Sequence, residues 1–328
     1  MKIFPIFIPH LGCPFSCVFC NQHKITKTDE PDFDLILEQA KNFCNYNHAH
    51  FKEMAFFGGT FTGLAPTLQK NLLKLLQPLL DEKTAIRIST RPDRITPENL
   101  VFLKSMGVRT IELGIQSFSD QVLIASKRGY NSATATKSCK LIKQSGLKLG
   151  IQIMPGLPGS DAEALECTIQ QTITLDPSFI RVYPTIVLQD TVLADKYSNG
   201  EYTPLSLEAA TSICSGISRR MDKHNIDIIK MGLHSDIDPE AVLAGPYHQS
   251  FGELVRAEIL YENIIAEFSC KSTLHISSQD ISLFKGFAST MLKKLQATLK
   301  LPKIPIIIDK SLTKNSFKFS SNPTEIYW

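Results

Sequence analysis

Cys13, Cys17 and Cys20 stand in Gly12-Cys13-Pro14-Phe15-Ser16-Cys17-Val18-Phe19-Cys20, a C-x3-C-x2-C spacing that lets three thiolates reach one metal centre from a single loop. A [4Fe–4S] cluster normally takes four thiolates, so three leave one iron open to a small molecule. A ferredoxin run would add cysteines at two- and three-residue gaps, and none follows here. Cys17-Val18-Phe19-Cys20 is also a C-x-x-C pair, but a thioredoxin-like motif has no use for Cys13. His23 would complete a Cys3His set for a closed zinc site, which makes a zinc-stabilised, non-catalytic binding module the competing reading. Structural zinc ligands usually come from two separated knuckles, whereas these four crowd one loop.

The rest of the chain must position that loop. Its 328 residues suit two domains or one α/β barrel with an extension. A hydrophobic content of 43% and a mean hydropathy of -0.02 fit a large buried core. No apolar run is long enough to span a bilayer, so no membrane partner is expected, and the N-terminus reads as a strand rather than a signal peptide. A net charge of +3 permits a nucleic-acid partner without arguing for one. The scattered Cys44, Cys139, Cys167, Cys214 and Cys270 read as small buried apolar residues, and a reducing cytoplasm is the simplest compartment.

Short β-rich segments alternate with amphipathic helical ones. Strands are expected at 3–9, 53–57, 85–90, 110–116, 148–153 and 179–184. Helices are expected at 34–44, 68–80, 97–106, 119–126 with 133–144, and 161–175. This alternation implies parallel strands joined by right-handed crossovers. A Rossmann sheet would follow its first strand with G-x-G-x-x-G, but the cysteine loop stands there instead. Gly58-Gly59-Thr60-Phe61-Thr62-Gly63 is neither that fingerprint nor a P-loop. Unusual residues collect at the strand ends, where parallel α/β barrels place their chemistry: Gly58-Gly59-Thr60, Ser89-Thr90-Arg91, Gly114-Ile115-Gln116 and the stretch from Gln152.

The cysteine spacing, with Phe19 just before the last cysteine, resembles the signature of the radical S-adenosylmethionine (SAM) enzymes. Further motifs resemble the radical SAM domain of the Elongator catalytic subunit, including a shorter bacterial branch that lacks the acetyltransferase domain. They are Glu112-Leu113-Gly114-Ile115-Gln116-Ser117, Lys127-Arg128-Gly129-Tyr130, Met154-Pro155-Gly156-Leu157-Pro158-Gly159 and Arg181-Val182-Tyr183-Pro184-Thr185. The likeness continues through Gly232-Leu233-His234-Ser235-Asp236-Ile237 and fades after about Leu260. It implies a partial (β/α)6 radical SAM barrel over residues 1–190, and a mixed α/β C-terminal extension, a candidate substrate cap, over 191–328. It also implies a [4Fe–4S] cluster on Cys13, Cys17 and Cys20, SAM on the open iron, and an electron donor such as flavodoxin or ferredoxin.

The implied chemistry is reductive cleavage of SAM to a 5′-deoxyadenosyl radical, with the wobble uridine of tRNA as first substrate. A small-molecule substrate, as in the coproporphyrinogen oxidases, is the alternative. On the resemblance, Phe19 would pack near the cluster and adenine, or be a core aromatic. Gly58, Gly59 and Thr60 would present carbonyls to the SAM amino group, or simply make a sharp turn. Gln116 and Gln152 would bind the ribose or methionine part, Arg128 the SAM carboxylate, and Val182 the adenine. Ser89, Thr90 and Arg91 would face the pocket mouth. Departures touch the substrate side: Ser89 stands for a glutamate, Tyr130 for a histidine, and Gln152 for an aspartate of the coproporphyrinogen oxidases.

Beyond the barrel, the pattern gives helices at 205–224, 251–268 and 281–299, and strands at 226–231 and 304–308. His234 and His248 lie in loop-like segments as candidate proton donors or clamps, and Lys310, Lys314 and Lys318 sit on a frayed tail.

Overall fold

Near-continuous apolar runs bounded by turn residues form one parallel sheet, because strands covered by helices need apolar residues on both faces. The computed structural model describes residues 2–26, 32–233, 237–268 and 273–320. Its strands begin with β1 (Lys2–Phe7), β2 (Lys52–Phe57), β3 (Thr84–Thr90), β4 (Val108–Gln116), β5 (Lys148–Ile153) and β6 (Phe179–Val182). The short β7 (Val187–Leu188) and then β8 (Asp227–Met231) follow. The large sheet runs β1-β2-β3-β4-β5-β6-β8, every neighbour parallel, and stays open between its edges β1 and β8 as a half-barrel.

The six expected strands are therefore joined by a seventh. β8 matches the strand expected at 226–231, which the sequence reading assigned to the extension because a long helical excursion separates it from β6. As a partly exposed edge strand it also lacks the apolar run of its neighbours.

Helices cover the sheet: α1 (Gln22–Thr26), α2 (Phe33–Tyr46), α3 (Pro66–Leu76), α4 (Pro97–Ser105), α5 (Asp120–Ala125), α6 (Ser132–Gln144) and α7 (Ala162–Leu175). Their starts are written locally. Thr96 and Asn99 form a capping box before α4 with Pro97 at its first turn, and Asn131 and Asp161 cap α6 and α7 by accepting from Thr134 N and Ala164 N. The excursion before β8 carries α8 (Val192–Ser198) and α9 (Leu207–Lys223). Beyond it, β9 (Val242–Ala244) pairs antiparallel with β7.

Met1–Ala210 with Arg220–Gln249 form one compact unit, so β8 lies beyond the division at residue 190 that the sequence suggests. The second unit, Thr211–Arg219 with Ser250–Trp328, contains α10 (Phe251–Glu267), β10 (Thr273–Ser277), α11 (Ile281–Leu299), β11 (Ile306–Asp309) and β12 (Phe317–Ser320). Its sheet runs β11-β10-β12 over a core that includes Leu260, Ile264, Leu274 and Leu295. β12 corrects the frayed-tail reading: it pairs with β10, and Lys318 Nζ lies 2.6 Å from Asp309 Oδ2. Among the described residues no helix is long and apolar enough to cross a membrane.

Candidate active site at the cysteine loop

The end of β1 is stitched to the end of β2. Ile8 N donates to Phe57 O at 2.8 Å, His10 N to Gly58 O at 2.9 Å and Thr60 N to Leu11 O at 2.8 Å. Two glycines make this approach sterically feasible. Gly12 has φ +74°, and a Cβ on it would lie 2.8 Å from Leu64 N and closer still to Thr60 O. A Cβ on Gly59 would stand 2.6 Å from both Ile8 O and Leu11 O. The glycine-rich stretch is thus a close-packing device that seats the cysteine loop at the C-terminal end of the sheet. Gly58 O and Thr60 O, expected to point at a ligand, already accept from His10 N and Gly63 N.

Cys13, Cys17 and Cys20 line one cavity of about 390 Å³ at these strand ends. Cys13 Sγ lies 3.2 Å from Thr60 Oγ1, Gln22 Nε2 donates to Cys20 Sγ at 3.4 Å, and Arg128 Nη1 donates to Cys17 Sγ at 2.9 Å. Burial pushes the Cys13 thiol up, against the pull of the Thr60 hydroxyl. Burial, with Cys17 adding to it, pushes Cys20 up to about 12.

The same cavity receives most of the expected residues. Gly58, Gly59 and Thr60 enter from β2, Ser89 and Thr90 from β3, Gln116 from β4 and Gln152 from β5. Gln152 Nε2 donates to Gln116 Oε1 at 3.1 Å, and Gln116 holds a left-handed φ of +69° where the β4–β5 register slips. Thr90 Oγ1 meets Thr62 Oγ1 at 2.6 Å, tying the β3 end to the segment after β2. Ser89, a lining residue, has a buried Oγ with no hydrogen-bond partner among the described residues. Phe19 lines the cavity and belongs to the apolar cluster of Val18, Leu157 and Leu193.

The remaining expected residues are placed as follows. Val182 is fully buried and is not among the lining residues; its neighbours Arg181 and Tyr183 are, because side chains alternate along a strand. Arg128, expected to reach a carboxylate, directs Nε to Tyr130 Oη at 3.0 Å, Nη1 to Cys17 Sγ and Nη2 to Gly114 O. Burial alone would pull its pKa down, but Tyr130 and Cys17 hold it above the usual arginine range. Cys167 is exposed and Cys44 half-buried, while Cys139 and Cys214 are buried as expected; Cys270 lies outside the described residues. His248 does not line the cavity, and His234 lies outside the described residues.

A charged chain inside the barrel escapes any reading of single strands. Arg87 Nε donates to Glu53 Oε2 at 2.9 Å and Arg87 Nη1 to Glu112 Oε2 at 3.2 Å. Arg181 Nε lies 2.7 Å from Glu112 Oε1, and Arg181 Nη1 donates to Tyr183 Oη at 3.1 Å. Burial pulls the Arg181 pKa down, but Glu112 and Tyr183 together more than offset it and hold it above the usual arginine range. The sequence signal is a charge set among apolar neighbours, as in Ala85-Ile86-Arg87-Ile88 and Phe179-Ile180-Arg181-Val182.

The Radical SAM superfamily model matches residues 7–171, half of the chain, and a Radical_SAM C-terminal domain model matches 177–260. The chain belongs to the radical SAM superfamily. As a radical SAM enzyme, it takes a [4Fe–4S] cluster and SAM as its cofactors, and the donor set fits them. The loop offers three thiols, leaving one iron of a four-iron cluster without a cysteine. Among the described residues no three His, Cys, Asp or Glu side chains form a site for a single metal ion, so the Cys3His zinc site is not assembled. A cluster distributes its thiolates over separate irons and needs no such convergence.

This radical SAM chain is 30% identical over 174 residues to a tRNA uridine(34) acetyltransferase of Methanocaldococcus infernus, covering 52% of the chain and 32% of that protein. It is 25% identical over 234 residues to the heme chaperone HemW of Bacillus subtilis, covering 69% of the chain and 61% of that protein. The chain thus spans about a third to three fifths of these relatives' lengths. Among solved structures, the archaeal Methanocaldococcus infernus Elp3 with an N-terminal deletion superposes with a TM-score of 0.62 at 22% identity, covering 82% of the chain and 64% of that structure. At that identity the likeness bears on the fold alone.

Proposed function

We propose that Cys13, Cys17 and Cys20 hold the cluster and that the chain modifies a uridine of tRNA. The observation that carries the reading is the single cavity where these thiols meet the ends of the central strands. When bound, the cluster and SAM supply a 5′-deoxyadenosyl radical, and the work of the protein is to aim it and keep competitors out.

The chain's own residues have distinct parts in this. Gln116 and Gln152 present amides to SAM, and Ser89 Oγ, without a partner among the described residues, offers it a hydrogen bond. Phe19 screens the cluster side of the cavity. Gly12 and Gly59 fix the loop that carries the thiols. The tRNA substrate rests on similarity to the tRNA uridine(34) acetyltransferase, and the electron donor, a flavodoxin or ferredoxin, on the chemistry's need for one electron.

Anaerobic reconstitution tests the core of the proposal: about four irons per chain and 5′-deoxyadenosine formed from SAM and reductant are expected. Nucleosides of tRNA from cells with and without the protein test the substrate. A uridine derivative that disappears with the protein is expected, and identical profiles would overturn the tRNA assignment.

A tetrapyrrole substrate is the second reading, favoured because the similarity to the heme chaperone HemW spans more of the chain than the one to the acetyltransferase. Heme or a porphyrinogen titrated into the reconstituted protein discriminates. Saturable, stoichiometric binding together with unchanged tRNA would select it.

A further inference from the structure

The three loop sulfurs have unlike neighbours. Cys13 meets the Thr60 hydroxyl and Cys20 the Gln22 amide, both neutral groups. Cys17 faces two guanidinium groups, with Arg128 Nη1 at 2.9 Å and Arg91 Nη1 at 3.9 Å.

Both cations are nearly buried, Arg91 at 4% and Arg128 at 5% exposure, so solvent screens them little. They are also held in place. Tyr130 Oη accepts from Arg128 Nε and donates to Gly114 O and Ile115 O, both at 2.9 Å, while Gly114 O takes Arg128 Nη2. Arg91 donates to Asp93 Oδ1 at 2.9 Å and to the carbonyl of Arg128. The Tyr130 ring lies under both guanidiniums at 5.2 Å. This bracing aims positive charge at one of the three sulfurs.

We infer that Arg128, with Arg91 behind it, is a positioning residue that acts through Cys17 to ease one-electron reduction of the cluster. The inference rests on the reading that Cys13, Cys17 and Cys20 are the ligands. Reduction adds one negative charge to the cluster, so a fixed cation donating to a ligand sulfur stabilises the reduced form more than the oxidised form. The neutral donors at Cys13 and Cys20 have the same sense and less strength. A carboxylate-binding role for Arg128 predicts something else: weaker SAM binding and an unaltered potential when SAM is absent.

The test is a redox titration of the reconstituted full chain, followed by electron paramagnetic resonance without SAM, with iron per chain measured on each sample. Arg128→Gln is expected to shift the midpoint to more negative potential. Arg128→Lys should fall between it and the parent, because lysine keeps the charge and loses the planar fork. Thr60→Val, which removes a neutral neighbour of Cys13, should shift less than Arg128→Gln. Arg128→Gln with the parent's iron content and the parent's potential would overturn the inference. Should that variant fail to fold or take up iron, Tyr130→Phe carries the test, since it unbraces Arg128 Nε and keeps the ring. A smaller shift in the same direction supports the inference, and no shift overturns it. A parent chain that takes up no iron would instead overturn the cluster reading beneath it.

Discussion

Arg181 Nε lies 2.7 Å from Glu112 Oε1 although the two residues sit on β6 and β4, with β5 between them. The intervening strand places Gly150 opposite both Glu112 and Phe179, and a Cβ there would enter the Phe179 ring. That ring in turn carries the Arg87 guanidinium at 4.5 Å. Glu53, Arg87, Glu112 and Arg181 thus form a nearly buried chain of two acids and two cations across the barrel interior.

Removing one member should cost more than any surface pair, because it leaves a buried cation uncompensated. Glu112→Ala, which strands Arg181 and leaves Arg87 with Glu53 alone, is expected to lower stability by roughly 3–5 kcal/mol. Denaturant unfolding beside the parent chain checks this, and a change within about 0.5 kcal/mol, as at a surface site, would contradict it.

Gly12→Ala attacks the seat of the loop. Its φ of +74° disfavours a side chain, and the new methyl group would meet backbone atoms of Thr60 and Leu64 that cannot swing aside. The expected outcome is native-like circular dichroism with iron per chain reduced severalfold after reconstitution. Full iron uptake would show that the loop tolerates displacement.

Cys17→Ala tests the ligand assignment directly. The cysteine is not part of the sheet, so the barrel should fold while reductive cleavage of SAM falls to background. Undiminished 5′-deoxyadenosine formation in that variant would remove Cys17 from the ligand set.

Alkaline pH should weaken the fold before it harms exposed groups. Burial pushes the thiols of Cys139, on α6, and Cys214, on α9, from an ordinary 9.0 up to about 12. A thiol with a raised folded-state pKa contributes its full stabilisation below the unfolded value. That contribution is lost as pH rises through the folded value, so the melting temperature should fall between pH 9 and 12. Cys139→Val should flatten part of that fall, and an equal slope in parent and variant would exclude Cys139 as a source.

The residues proposed to handle cofactors are legible in the chain because their pattern is local. The spacing of Cys13, Cys17 and Cys20 needs only one loop, and Gln116 and Gln152 stand where the apolar run of a strand gives out. Helix starts such as Thr96-Pro97-Glu98-Asn99 are equally local, since the capping side chain bonds a backbone a few residues away. Strand alternation with helices was enough to give parallel strands with right-handed crossovers, while the partial barrel came from the family resemblance.

Other features depend on distance along the chain. Arg128 meets Cys17 across 111 residues, Arg87 meets Glu53 across 34, and β8 reaches β6 only after α8 and α9. Nothing in a single segment says which charge will face which, because the partner is chosen by register between strands and by where a crossover returns. Val182 shows the same limit in one residue: its place at a strand end was readable, but which face it presents follows from the pleat in the folded sheet. The sequence alone therefore determined which chemistry the loop can support, through residue types and short spacings. The tertiary structure decided which cation serves which sulfur, because only packing brings remote side chains within bonding distance.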